Sequence, residues 1–158
     1  MDAPRRLKSR RRPVAVIGWN EYVDLPDWGI RGIRAKIDTG ARSSALHVEN
    51  VQEISRDRVR FDVVLDRDGP QRTVHVTAAV ARRARVKSST GHMRRRIFVT
   101  TTVRIGPMNR EVELSLVDRE TMVYRMLIGR SALGGRYLID SGGQCLHGRP
   151  PRHGRQRG

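Results

Sequence analysis

From Val14 onward the chain falls into short stretches with the period of two that a half-buried strand requires. Val14-Ala15-Val16-Ile17-Gly18 is a β-branched run closed by glycine, and Glu21 to Leu25 alternates polar with apolar before the turn Pro26-Asp27-Trp28-Gly29. Ile33, Ala35 and Ile37 alternate with Gly32, Arg34 and Lys36, which predicts a strand running straight into Asp38-Thr39-Gly40. Val59, Phe61, Val63 and Leu65 repeat the pattern, Asp66 to Pro70 turns, and Thr73 to Val76 returns as the second arm of a hairpin. Ala78 to Val86 fits a short helix or an irregular strand equally well, and Lys87 to His92 is a polar loop. Ile97 to Ile105, the turn Gly106-Pro107, and Val112, Leu114 and Leu116 predict another hairpin. Tyr124 to Ile128 is one more strand, Arg130 to Leu133 is long enough for one helical turn before Gly134-Gly135, and Tyr137 to Ile139 is the last strand. There is no repeat of domain-building length and no long amphipathic helix. The expected fold is therefore all-β: a closed barrel of short strands with one short C-terminal helical turn.

Charge changes this picture at the ends. The chain has 158 residues, one domain's worth, and a net charge of +16. Residues 1–13 contribute six bases less one acid and residues 146–158 four bases, so the two ends hold +9 and the body +7. Both ends are expected to be disordered basic tails around a domain at 14–145, able to touch nucleic acid or ribosome without sequence preference. The lone cysteine, Cys145, gives no disulfide framework, and no apolar run is long enough to serve as a signal core or membrane span. A soluble cytoplasmic protein with no membrane contact is the expectation.

The sharpest chemical signal is Ala35-Lys36-Ile37-Asp38-Thr39-Gly40-Ala41. A half-buried strand here delivers a carboxylate into a tight turn; Thr39 can brace the turn and Gly40 lets a second backbone approach. Asp, Thr and Gly are also ordinary turn residues, so the motif gains weight only from a second one, the run Met126 to Leu133 with its Gly129-Arg130 step.

Together, Lys36 to His47, Asp118 to Met122 and Met126 to Arg130 resemble the bacterial and archaeal retropepsin-like aspartic proteases found beside RimK-type glutamate ligases. The resemblance implies a homodimeric aspartic endopeptidase, an enzyme of the hydrolase class, with Asp38 catalytic, Thr39 and Gly40 shaping its turn, and Ala41, Arg42, Ile128 and Gly129 beside the substrate. It also implies a peptide or protein substrate that is acidic or ends in a glutamate tail, and no cofactor. Such proteins have carried an ATP-dependent zinc protease label as well. That label finds no support in a chain without His-Glu-x-x-His or a Walker loop, in which His47, His75 and His92 show no ligand spacing, so no metal residue is assigned.

Two carboxylates are needed. Asp140-Ser141-Gly142 is rejected as an internal partner because the 16 residues after Gly142 (158 − 142) are too few for a second lobe, which leaves a symmetric pair of Asp38 residues. The flap is left open between the Asp66 to Pro70 hairpin and the Ser88 to His92 loop with Arg94, Arg95 and Arg96 behind it. Arg42 is weighed as a carboxylate receptor against internal pairing with Asp118 or Glu120, while Arg125 is taken as a cleft neighbour and Arg130 as a structural tie. The reading from another class is a non-catalytic basic module associated with RNA or the ribosome, opposed by an aromatic content of only 4%.

Overall fold

The computed structural model describes residues 14–66, 72–87, 90–118 and 122–149. Among these residues there are ten strands: β1 (Ala15–Leu25), β2 (Ile30–Asp38), β3 (Ser44–Ser55), β4 (Arg58–Val64), β5 (Thr73–Ala79), β6 (Arg82–Lys87), β7 (Met93–Ile105), β8 (Met108–Val117), β9 (Met126–Gly129) and β10 (Tyr137–Gln144). An α-helical turn, α1, spans Arg130–Leu133. Hydrogen-bonded neighbours run β1-β2-β9-β3-β8-β7, and β7 returns to β1 at Asp24 and Arg104, which closes a six-stranded barrel. The all-β barrel with one helical turn is the fold that the period-two pattern predicts.

The inward-facing residues make one core. Ile33, Ala35 and Ile37 of β2 meet Leu46 and Val48 of β3, Val103 and Ile105 of β7, and Ile128 of β9, all buried. Outside the barrel circuit, β10 lies along β1, β6 extends the sheet beyond β7, and the β4–β5 hairpin lies on the far half of β3.

Three local readings change. The stretches around Gly18 and Val23 are one strand, since Gly18 interrupts nothing: its missing side chain admits β10, and a Cβ there would sit 2.8 Å from the carbonyl carbon of Gly143. Residues 78–86 are neither a helix nor one strand; β5 ends at Ala79 and β6 begins at Arg82. The third change is β3, which the alternation did not reveal. Ser44, Leu46, His47 and Val48 are buried on both faces between β8 and β9, and everything from Asn50 to Ser55 is exposed.

Past β10 the chain folds back over β1. The buried Glu21 carboxylate accepts the backbone N–H groups of Gly18, Leu146 and His147 at 2.9, 3.0 and 3.2 Å, and Cys145 N–H donates to Asn20 O at 2.9 Å. Of the basic tails expected at 1–13 and 146–158, residues 1–13 and 150–158 lie outside the described residues, whereas 146–149 are described and Leu146 and His147 are bonded to Glu21. No helix among the described residues is long and apolar enough to cross a membrane.

Candidate active site

Asp38 is the last residue of β2 and stands opposite Gly129, the last residue of β9, in a parallel register that continues through Ile37 and Ile128. The buried Ile37 and Ile128 side chains anchor that strand end. The half-buried Asp38 then turns the chain by its own side chain: Oδ1 accepts the N–H of Gly40 at 3.1 Å and of Ala41 at 3.3 Å. Ala41 N–H also donates to the Asp38 carbonyl at 3.2 Å. This is the turn that aspartate makes by imitating a backbone carbonyl. One carboxylate oxygen is thereby fixed, and neither Gly40 nor Ala41 bonds the other.

The turn is stitched to the start of α1. The free N–H groups of the helix's first turn find carbonyls here: Arg130 N–H donates to Ala41 O at 2.9 Å and Ser131 N–H to Arg42 O at 3.1 Å. Arg130 Nη1 adds bonds to Gly40 O at 3.0 Å and Thr39 O at 3.4 Å. Arg130 therefore ties the helical turn to the Asp38 loop, and Thr39 and Gly40 are held through their carbonyls. Beneath them the buried Ser44 Oγ accepts Gly129 N–H at 3.0 Å. Ser44 lies within the Lys36 to His47 block but carries no assigned role there; the β3–β9 pairing brings it here.

Arg42 is exposed, and its guanidinium makes no ion pair among the described residues. It opens instead onto a groove of about 560 Å³, shared with Ser43, Ser44, Ser131, Arg82 and Glu111. Asp118, one suggested partner, acts on His47 instead, and Glu120 lies outside the described residues. Arg125 is not a cleft residue: it is buried at the end of β9 away from Gly129, and its carbonyl accepts His47 N–H at 2.8 Å. Asp140 is exposed on β10, paired with Gly18, and its Oδ1 accepts Gly142 N–H at 2.9 Å.

Of the two flap candidates, the β6–β7 hairpin begins at Arg82 on the groove wall, whereas the β4–β5 hairpin pairs only with β3. The turns at 67–71 and 88–89 lie outside the described residues. Among the described residues no three His, Cys, Asp or Glu side chains converge as metal ligands.

A model of the RimB-like family, described as retropepsin-like aspartic endopeptidase RimB, matches residues 16–150. The chain belongs to this family. Curated relatives carry another name: it is 33% identical over 136 residues to a probable alpha-L-glutamate ligase of Desulfotalea psychrophila, covering 84% of this chain and 29% of that protein. A ligase of the same name from Shewanella halifaxensis is 32% identical over 79% of this chain and 28% of its own length. The chain thus spans less than a third of the curated relatives it matches. Among solved structures, the Legionella pneumophila protein Lpg0085, of unknown function, aligns with a TM-score of 0.69 and 25% identity over 84% of this chain and 98% of that one.

His47 sets a pH limit on this RimB-like fold. Burial, and next the Arg125 cation, hold its imidazole below the ordinary value, against smaller opposing pulls from Glu49 and Asp118. Above about pH 6.5 the ring is neutral whether the chain is folded or not; below it the unfolded chain takes up a proton that the folded one resists. Stability is therefore expected to fall as pH drops from about 6.5, and His47→Gln to flatten that fall. Melting curves of both proteins between neutral and mildly acid pH decide it, and parallel pH profiles would remove His47 as a cause.

Proposed function

We propose that the protein is a homodimeric aspartic endopeptidase in which two Asp38 carboxylates, one from each copy, hold and activate a water. The observation that carries this reading is the Asp38 turn: one carboxylate per chain, at the rigid end of a strand, with one oxygen held by backbone N–H groups. The exposed position of Asp140 beyond β1 favours a second copy as the source of the other carboxylate.

Two carboxylates that close cannot both ionise, so one keeps a proton. The ionised group takes a proton from the water, whose oxygen attacks the peptide carbonyl carbon, while the other gives its proton to the carbonyl oxygen. Collapse of the tetrahedral diol then breaks the C–N bond, and a proton passes to the leaving amine. We take the β6–β7 hairpin as the flap because its first residue, Arg82, lines the groove.

For the substrate, we take an acidic peptide or glutamate-ended protein. Support comes from Arg42, whose guanidinium on the groove has no ion pair among the described residues and suits a carboxylate, and from the pairing of a similar domain with a named glutamate ligase in longer relatives. Hydrolysis of glutamate-rich and neutral peptides is the test. Arg42→Ala is expected to raise KM for the acidic peptide on the order of tenfold or more while changing the neutral one little. Equal losses would assign Arg42 to structure, and a preference for apolar peptides would refute the acidic substrate.

A further inference from the structure

Residues 82–96 carry six arginines and one lysine with no Asp or Glu. Arg82 is answered by Glu113 (Nε to Oε1, 2.6 Å) and lies over the Phe98 ring, and Arg83 is answered by Glu53 (Nε to Oε1, 2.8 Å). Arg85, Lys87, Arg94 and Arg95 make no ion pair among the described residues. Arg85 and Arg95 face each other directly across the β6–β7 register, an arrangement in which like charges repel and cost stability. A depression of about 460 Å³ lined by Arg83, Ala84, Arg85 and Arg95 opens there. Strand β6 is also the end of the sheet: one edge pairs with β7, and the other pairs with no strand among the described residues.

Cations on an edge strand can serve only to stop it pairing with other copies. Arg83, Arg85 and Lys87 on β6 already meet that need. It gives no reason for Arg95, on the inner strand, to oppose Arg85.

We propose that the outer edge of β6 is a docking edge for an extended acidic polypeptide segment, which adds to the sheet as a further strand. Main-chain hydrogen bonds to the open edge supply the pairing, and side chains at alternate positions supply the charge contacts. One face of the added strand meets Arg85, Lys87 and Arg95, and the other meets Arg94, so consecutive Asp or Glu residues find cations on both sides. A carboxylate between Arg85 and Arg95 relieves their repulsion. Nucleic acid fits less well: it cannot use the open main-chain edge, and the one Phe, Tyr or Trp in residues 82–98, Phe98, is buried and offers no surface for base stacking. The proposal rests on the peptidase reading only in making the docked segment part of a substrate.

The test uses the full chain carrying Asp38→Asn, which separates binding from turnover, and fluorescein-labelled octaglutamate as the probe. Arg85→Glu/Arg95→Glu is expected to weaken binding at low salt on the order of tenfold or more, and octaglutamate to slow amide exchange at residues 84–87 in the unreversed protein. The single change Arg85→Glu is expected to raise the melting temperature, because unlike charges then face each other. Unchanged affinity in the double variant, or unprotected β6 amides, would overturn the proposal. So would a uridine oligonucleotide of equal charge that binds more tightly than octaglutamate and is lost in the double variant, since that assigns the edge to nucleic acid. If docking behaves as expected while the protein with Asp38 intact hydrolyses no peptide, the peptidase reading fails and the docking edge stands.

Discussion

Asp38→Asn is expected to lower peptide hydrolysis by about a thousandfold or more while leaving the fold and the dimer in place. The substitution is nearly isosteric, and the amide oxygen it introduces can still accept the Gly40 and Ala41 N–H groups that shape the turn. What it removes is the charge that takes the proton from water. Mixing sharpens the test. If both carboxylates of a dimer are needed, equal parts of parent and variant, randomly reassorted, leave one half times one half of the dimers competent, about a quarter of the activity. Chains acting singly would retain about half. The parent enzyme is expected to show a bell-shaped pH profile, because the shared proton must be neither lost nor doubled. Full activity in Asp38→Asn, or loss of activity in EDTA, would sink the aspartic mechanism.

The site was legible in the sequence where local chemistry makes it. Alternation in Ile33, Ala35 and Ile37 gives β2 its buried face, and Asp38-Thr39-Gly40 ends it in a turn the aspartate makes with its own side chain. The one-turn α1 was legible for a similar reason: Gly134, in the left-handed conformation at φ 53°, stops the helix where the sequence places Gly-Gly. What was not legible depends on partners distant in the chain. β3 shows no alternation because its first half is buried on both faces, with Leu46, His47 and Val48 buried in succession, while its second half is exposed. Arg82 reaches the groove beside Arg42 only because β7 and β8 carry β6 to that wall, and Arg125 is drawn into the interior beside His47 by β9 pairing. Charge and exposure at such positions follow from topology, which no local pattern encodes. The Arg42 guanidinium was open between groove and internal pairing for this reason, since its place on the groove follows from the packing of the 42–44 segment against α1.

Gly129→Ala is expected to cost about 3 kcal/mol of stability and most of the activity together, a joint loss that Asp38→Asn does not produce. Gly129 has an ordinary extended backbone, φ −84° and ψ 169°, so glycine is not needed there for conformational freedom. It is needed for space. A Cβ would overlap the Ser43 carbonyl oxygen and stand 2.6 Å from the Ser43 carbonyl carbon and 2.9 Å from the Arg42 oxygen. These are backbone atoms with no rotamer to escape into, and the loop that holds them is bonded to Gly129, Arg130 and Ser131. Relief requires the 41–44 segment to move away from β9, which breaks the Ser131 bond to Arg42 O and the Gly129 bond to Ser44 Oγ and leaves buried polar groups unpaired. Asp38 is directly across from Gly129 in the register, so the same shift displaces the carboxylate from the geometry that two copies must share. Thermal melting and peptide hydrolysis on one preparation test both effects. A variant that melted like the parent would mean the loop yields freely, and the rigid cradle argued for Asp38 would be wrong.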